Sequence, residues 1–455
     1  MSASPTDSAL SAPKSTDVPQ LAGWGRIFGP GRELVGEDLG SLTDGMILTR
    51  GLGRSYGDSS LPPVGTLDVA GTRLADRILA FNEQTGDIHV EAGLSLRELN
   101  RIFLPRNWFV PVSPGTAFVT VGGMVAADVH GKNHHVNGCF GAHVTRLLLR
   151  VPNGGLIWCS RDEEGELFRA TIGGMGLTGH ILEVSFRMHR VTSPWVEQET
   201  ERFDNFDDFI AGLKDASANW PMTMGWIDCL QRGENMGRGI LFRGRWAARE
   251  IAPKHFPKPP LQLRAPFETP SWLLNGLTMR LFNWLIYHKH GRGMRKAIVH
   301  PEAFWYPLDR VLHWNLLYGP RGFTQFQCVI PDDAGLGAVR QFLEVLTGLG
   351  GASFLCVLKD CGPEGDGILS FPRPGTSIAL DIPCRDDTQA LVDKLNEAVI
   401  ATGGRIYLAK DRFTRPEHLA AMEPRLPRFA AVRDKWDPDR RIRSAQSVRL
   451  LGDPT

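Results

Sequence analysis

A chain of 455 residues is too long to fold around one small core, so at least two domains are expected. With 42% hydrophobic and 22% charged residues the composition is that of a globular protein. A net charge of +1 gives no bulk field to draw nucleic acid or an anionic membrane, so no nucleic-acid partner is expected and any anionic ligand must meet a local site.

Residues 1–18, rich in Ser, Pro, Thr and Ala and lacking an apolar stretch, read as a disordered lead-in and not a secretory signal. Seven cysteines, an odd number without CxxC spacing, argue for reduced thiols and a cytoplasmic chain. No run of about eighteen apolar residues occurs, so no spanning helix is expected. From about 20 to 190 short strands alternate with glycine turns. "GMILT" is an apolar run that leads into the glycine loop "RGLGRSYGD". "DIHVEAG" alternates in period two, and "SLRELNRIFL" then takes a helical period, with Ser95 and Glu98 spaced as a capping box. "RLLLRVPNGGLIWCS" predicts two strands turning at Asn153-Gly154, "EGELFRAT" a helix, and "GHILEVSFRMHRV" a closing strand.

Residues 251–300 stand apart. A proline-rich linker precedes "SWLLNGLTMRLFNWLIYHKHGRGMRK", which as a helix carries Leu274, Leu277, Leu281, Trp284 and Leu285 on one broad face. Two readings stay open: a core helix between domains, or an amphipathic element lying on a membrane with its basic end at the headgroups. Between 324 and 410 two strand–helix–strand units follow in tandem, closing on "RIYLAKD". They predict a ferredoxin-like antiparallel sheet with helices on one face. The last 40 residues read as a return segment packing on an earlier domain.

Three glycine loops carry the chemistry: 50–57, "PGTAFVTVGG" at 114–123 and "GGMGLTG" at 173–179. Neither Rossmann-like spacing holds in context. The first loop is followed by "DSSLPPVG", which cannot be a helix, and the second candidate, 174–179, runs from helix to strand. Glycine loops also bind pyrophosphate through nests of backbone N–H groups. Three within one block point to an extended dinucleotide wrapped by loops. "DVHGKNHHVNG" at 128–138 crowds His130, His134 and His135 without the firmly held carboxylate or Cys partners that a metal needs, so no metal is expected and a polar pocket loop is the better reading.

Together "GWGR", "RGLGRSYGD", "VPVSPGT", "VTVGGMVAADVHGKNHH", "GLTGHI", "YGPRGFTQFQCVIP" and "GGRIYLAKD" resemble flavoproteins of the vanillyl-alcohol oxidase superfamily. Within it, they are similar to the enzymes that oxidise a lipid-linked ribose. The resemblance implies an α+β fold: an FAD-binding domain at 19–193, a substrate domain at 194–404 and a return segment at 405–455 completing the first. It places FAD contacts at Arg50, Gly51, Leu52, Gly53, Arg54, Ser55, Tyr56, Gly57, Asp58, Gly115, Thr120, Val121, Gly122, Gly123, Ala127, Asp128, Val129, His130, Ile181 and Tyr407. Arg54 stands where several relatives have a flavin-bonded His, so the FAD is expected to be non-covalent. The implied substrate residues are Tyr56, His130, Lys132, Trp226, Trp305, Gln325, Gln327, Lys359, Ser377, Ala379 and Lys410. Ser377, Ala379 and Trp305 depart from the mycobacterial pattern of Asn, Cys and Tyr.

The implied reaction is FAD-dependent oxidation of the 2′-hydroxyl of a polyprenyl-phosphoryl pentose to the 2′-keto sugar. A short-chain NAD(P)H-dependent reductase would complete epimerisation to arabinose for cell-envelope glycan. The expected location is cytoplasmic and peripheral on the inner membrane. Lys410, His130 and Tyr56 are the expected catalytic residues, with Lys410 acting either as a cation or, if burial makes it neutral, as a base. A soluble alditol or sugar-lactone oxidase and a non-catalytic flavin-bound scaffold are the alternatives.

Overall fold

The computed structural model describes residues 19–455 apart from 154, 259, 271, 272, 350–352 and 354. The predicted lead-in and Gly154 of the predicted turn lie outside the described residues.

The N-terminal block is built on two sheets. Strands β1 (Arg32–Val35), β2 (Thr49–Arg50) and β3 (Asp68–Gly71) form a small parallel sheet in the order β1-β3-β2. The "GMILT" run thus yields only a two-residue strand, from whose end the first glycine loop departs. Strands β4 (Ile78–Phe81), β5 (Asp87–Glu91), β6 (Val144–Arg150), β7 (Leu156–Ser160) and β8 (His180–Arg187) make an antiparallel sheet, order β7-β6-β8-β5-β4. Period-two alternation puts Ile88 and Val90 inward, where they join Leu96, Leu99 and Phe103 of helix α1 (Leu96–Phe103) in the larger core. The cap of α1 is one-sided. Ser95 Oγ accepts from Glu98 N–H at 3.2 Å, whereas the Glu98 carboxylate turns to Arg101. Short helices complete this block, among them α2 (Val121–Ala126) and α3 (Gly165–Thr171).

The third sheet has eight antiparallel strands. They are β9 (Val196–Phe203), β10 (Met222–Ile227), β11 (Gly239–Trp246), β12 (Arg295–Val299), β13 (Phe323–Pro331), β14 (Cys356–Cys361), β15 (Gly375–Pro383) and β16 (Arg405–Ile406). Their order is β12-β9-β11-β10-β14-β15-β13-β16. Numbered within each half, both halves read 4-1-3-2, and they meet edge to edge at Gly225–Leu358 and Trp226–Val357. The sequence pattern anticipated only the second half, because the first is interrupted by the long irregular stretch after β11.

Helices α4 (Phe206–Asn219), α6 (Gly335–Gly348) and α7 (Thr388–Ala401) cover one face of this sheet. Phe209, Leu213, Phe342, Leu343, Leu395 and Val399 pack there on Ile227, Phe326, Cys328, Leu358, Ile378 and Leu380. Alternation along each strand sends the intervening residues, among them Trp226, Gln325, Gln327, Lys359, Ala379 and Asp381, to the opposite face.

Helix α5 (Gly276–Lys289) breaks the symmetry of the two halves. Its Tyr287 packs with Trp226 and Ile240, residues of that opposite face. It buries Met279, Asn283 and Tyr287, while Leu277 (78%), Leu281 (58%), Trp284 (49%) and Leu285 (52%) are exposed. The core reading of this face is therefore wrong. Asn283 Nδ2 donates to Asp228 Oδ1 at 2.9 Å, so a buried polar contact holds the inner side. Leu274 lies outside the helix and is half-buried against the aromatic cluster of Tyr56, Trp314, Tyr318 and Phe323.

The C-terminal segment returns to the first block. Helix α8 (Leu426–Trp436) puts Phe429 and Val432 into the larger core, and Arg449 of α9 (Ala445–Leu451) grips both Asp58 oxygens at 2.8 and 2.9 Å. All seven cysteines are buried and free. No helix among the described residues is long and apolar enough to cross a membrane.

Candidate active site

The opposite face of the eight-stranded sheet and the glycine loops of the first block enclose a cavity of about 980 Å³. Three connections hold its walls together. Tyr56 N–H donates to Ala409 O at 3.0 Å, Tyr407 N–H to Gln327 O at 2.9 Å, and Tyr407 Oη to Ala127 O at 2.9 Å. Lys410 therefore stands in a tight 3-10 turn, Leu408–Lys410, and not at the end of the predicted strand, which stops at Ile406.

The loops approach closely. A Cβ on Gly51 would come within 2.5 Å of Thr120 Oγ1, and Gly53 has φ +60°. Thr120 caps α2, its Oγ1 accepting from Gly123 N–H at 3.2 Å. Gly51, Leu52, Gly53, Arg54, Ser55, Tyr56, Gly115, Thr120, Gly123, Ala127, Val129, His130 and Tyr407 all line the cavity, as do Lys132, Trp226, Gln325, Gln327, Lys359, Ala379 and Lys410. The third glycine loop contributes only Met175.

Other expected contacts lie off the wall. Arg50 points back into the protein, donating to Ala22 O at 2.7 Å and Ser60 O at 2.9 Å, so it shapes the loop from behind. Asp58 is tied to Arg449. Asp128 accepts from Gly141 N–H at 2.8 Å and from Ser370 Oγ. Gly57, Val121, Gly122 and Ile181 pack behind the wall. Ser377 reaches the site only through Gln327 Nε2, at 3.2 Å. The Trp305 side chain is in the core against Phe109, at 5.7 Å between ring centres, but its carbonyl accepts from Lys132 Nζ at 3.0 Å.

The electrostatics are lopsided. Burial, reinforced by Lys359, pulls both Lys132 and Lys410 down to about 7. Lys359 is lowered too, again by burial first. His130 falls well below its ordinary value through burial and then Lys359, so it is neutral. Gln327 Nε2 lies 2.8 Å from His130 Nε2, which makes Nε2 the acceptor and leaves the buried Nδ1–H without a partner among the described residues. Lys410 Nζ rests 3.9 Å from the Tyr56 ring centre. Lys359 and Lys410 make no hydrogen bond or ion pair among the described residues. Three buried amines, with Lys359 acting on both of the others, an imidazole N–H unpaired among the described residues and two closely apposed glycine loops fit an anionic dinucleotide together with an anionic substrate.

Residues 43–160 match the FAD binding domain family. Decaprenylphosphoryl-β-D-ribose oxidase of Mycolicibacterium smegmatis is 35% identical over 89% of each chain. The chain belongs to this family of FAD-dependent oxidoreductases. L-gulono-1,4-lactone dehydrogenase of Mycobacterium tuberculosis is 21% identical over 88% of this chain and 89% of its own. Bovine (Bos taurus) L-gulonolactone oxidase is 27% identical over 30% of this chain and 31% of its own. The family is thus an FAD-dependent one, and the lactone-oxidising relatives are more distant from the chain.

Sequence reasoning missed Asp381, Tyr318 and Asp309. Asp381 shares the strand face of Ser377 and Ala379, two residues further on, so alternation in "GTSIALD" was the available signal. It also missed Met224, Ile240, Phe242, Val357, Phe282 and Ile286, which form an apolar stretch of wall beside α5.

Proposed function

We propose that this protein oxidises the 2′-hydroxyl of a polyprenyl-phosphoryl pentose, ribose in the simplest case, to the 2′-keto sugar. One observation carries the reading: a single cavity joins a cluster of buried amines to an apolar wall beneath a helix whose outer face is itself apolar. A lipid-linked sugar phosphate has the matching parts, an anionic centre and an apolar tail.

FAD, when bound, supplies the two-electron acceptor for the hydride leaving the sugar carbon. Lys132 and Lys359 hold the phosphate, and Lys132 is set in place by the Trp305 carbonyl. Lys410 meets the hydroxyl, taking its proton when neutral or stabilising developing negative charge when protonated. Neutral His130 packs beside Tyr407 at 5.0 Å and offers its free Nδ1–H to the cofactor side of the cavity. Tyr56 carries Lys410, while Gln325 and Gln327 orient the sugar. Arg54 lies over the Trp24 ring at 4.2 Å and cannot form the bond that a flavin-linked His makes, so the FAD is held non-covalently.

The outer face of α5, with exposed Arg280, Lys289 and Arg292 around it, rests on an anionic membrane surface on the cytoplasmic side. The 4-1-3-2 order of each half supports reading residues 194–404 as a substrate domain of two ferredoxin-like units. Residues 19–193 with 405–455 are then the FAD-binding domain. A short-chain NAD(P)H-dependent reductase is the partner that would consume the keto sugar. Anaerobic addition of polyprenyl-phosphoryl ribose should bleach the flavin absorbance. Bleaching by a sugar lactone or alditol alone would favour the soluble-oxidase alternative, and no bleaching by either would favour a scaffold.

A further inference from the structure

Asp381 does not reach the cavity, yet it is wired to it. Its Oδ1 accepts from Gln325 Nε2 at 2.6 Å and its Oδ2 from Tyr318 Oη at 2.7 Å. Gln325 Nε2 also lies 3.5 Å from Tyr56 Oη, and the Tyr56 ring seats Lys410. Tyr318 stacks on Phe323 at 4.0 Å and Tyr56 meets the same ring edge-on at 5.3 Å, so neither phenol is free to swing.

A fully buried carboxylate is costly unless its charge is matched. Two neutral donors satisfy part of that need, and no cation touches Asp381 among the described residues. The groups facing Lys410 are Asp381 from β15, Lys359 from β14, His130 from the 128–131 loop and Tyr56 beneath it. Of these only Asp381 is a carboxylate. Burial and Lys359 both drive Lys410 toward the neutral amine, and Asp381 is what opposes them.

We propose that Asp381 is a positioning residue of the oxidation: the counter-charge that favours the protonated form of Lys410 over the Tyr56 ring, linked to it through Gln325 and never touching substrate. The proposal rests on Lys410 being the residue at the reacting carbon.

Competitive acetylation of the FAD-loaded protein with trace acetic anhydride, followed by peptide mass spectrometry across the neutral range, reads the ionisation of Lys410 without turnover. D381N should lower the Lys410 midpoint by about one unit, a tenfold change in the ratio of protonated to neutral amine. The Lys132 midpoint, set by burial, then Lys359 and Asp309, should stay where it is. The Lys410 limb of the pH profile for flavin reduction should move down with the midpoint whether the amine acts as cation or base, and it decides the matter if Lys410 resists the reagent. An unmoved midpoint or limb in FAD-retaining D381N overturns the proposal. If D381N does not fold, Y318F serves: burial already raises the Asp381 carboxyl to about 6 and the Tyr318 donor holds it down, so losing that donor leaves more of Asp381 neutral near pH 7. A smaller downward shift of Lys410 then supports the proposal and none overturns it. A wrong substrate assignment shows instead as unbleached wild-type flavin and leaves the acetylation result standing.

Discussion

Replacing Leu281, Trp284 and Leu285 with Ser tests the placement of α5 on a membrane. Each side chain has about half its surface exposed, at 58, 49 and 52%. Burying a whole side chain of this kind is worth about 1.5–3 kcal/mol, so the exposed halves offer about 1 kcal/mol each to a lipid interface. The triple variant should lose about 3 kcal/mol of membrane affinity, roughly a hundredfold in partition. Its fold should hardly change, since substitutions of exposed residues typically alter stability by less than about 0.5 kcal/mol. Sedimentation with anionic phospholipid vesicles measures the first quantity and thermal melting the second. KM for a long-chain substrate should rise more than KM for a short-chain analogue. Unchanged partition would refute the membrane role, and a large fall in melting temperature would show that these residues support the fold.

Lys410→Ala should keep FAD, because cofactor contacts are spread over separate loops, but slow flavin reduction by about 10²–10³. Lys410→Arg restores part of the rate if the role is electrostatic and almost none if the amine is a base, as stopped-flow will show. Lys132 is cationic only below about 7, so affinity for the phosphate-bearing substrate should fall as pH rises through that value, and Lys132→Ala should flatten this limb of the KM profile. Acid precipitation should release FAD into the supernatant, and flavin remaining on the denatured chain would contradict the role given to Arg54. Asp58→Asn removes one of the two oxygens that hold Arg449, costing about 2 kcal/mol. It should lower the melting temperature and loosen FAD binding without altering the pH dependence of reduction.

The sequence by itself determined what is local and periodic. The strand–helix–strand rhythm between 324 and 410 was legible, whereas Gln325, Gln327, Lys359, Ser377 and Ala379 entered only through the family resemblance, although period-two alternation alone would have put them on one face and Asp381 with them. The glycine loops announced a close backbone approach, since Gly51 and Gly53 occupy positions that a side chain would block or strain. The motifs around 50–58, 120–135 and 405–411 were enough to indicate the flavoprotein family.

Only tertiary structure decided which members of those motifs face the cavity. Arg50, Asp58 and Asp128 sit inside the right motifs but are spent on Glu33, Arg449 and Ser370, partners far away in the chain for two of the three. The sidedness of α5 was equally out of reach, because an apolar stripe has the same spacing whether it meets a core or a membrane. The folded chain turns Asn283 inward onto Asp228, 55 residues away, and leaves Leu281, Trp284 and Leu285 exposed. The charge state of the site was hidden for the same reason. Lys132, Lys359 and Lys410 come from three separate segments, and a lysine's pKa falls only when the folded chain removes its water and brings the other cations near.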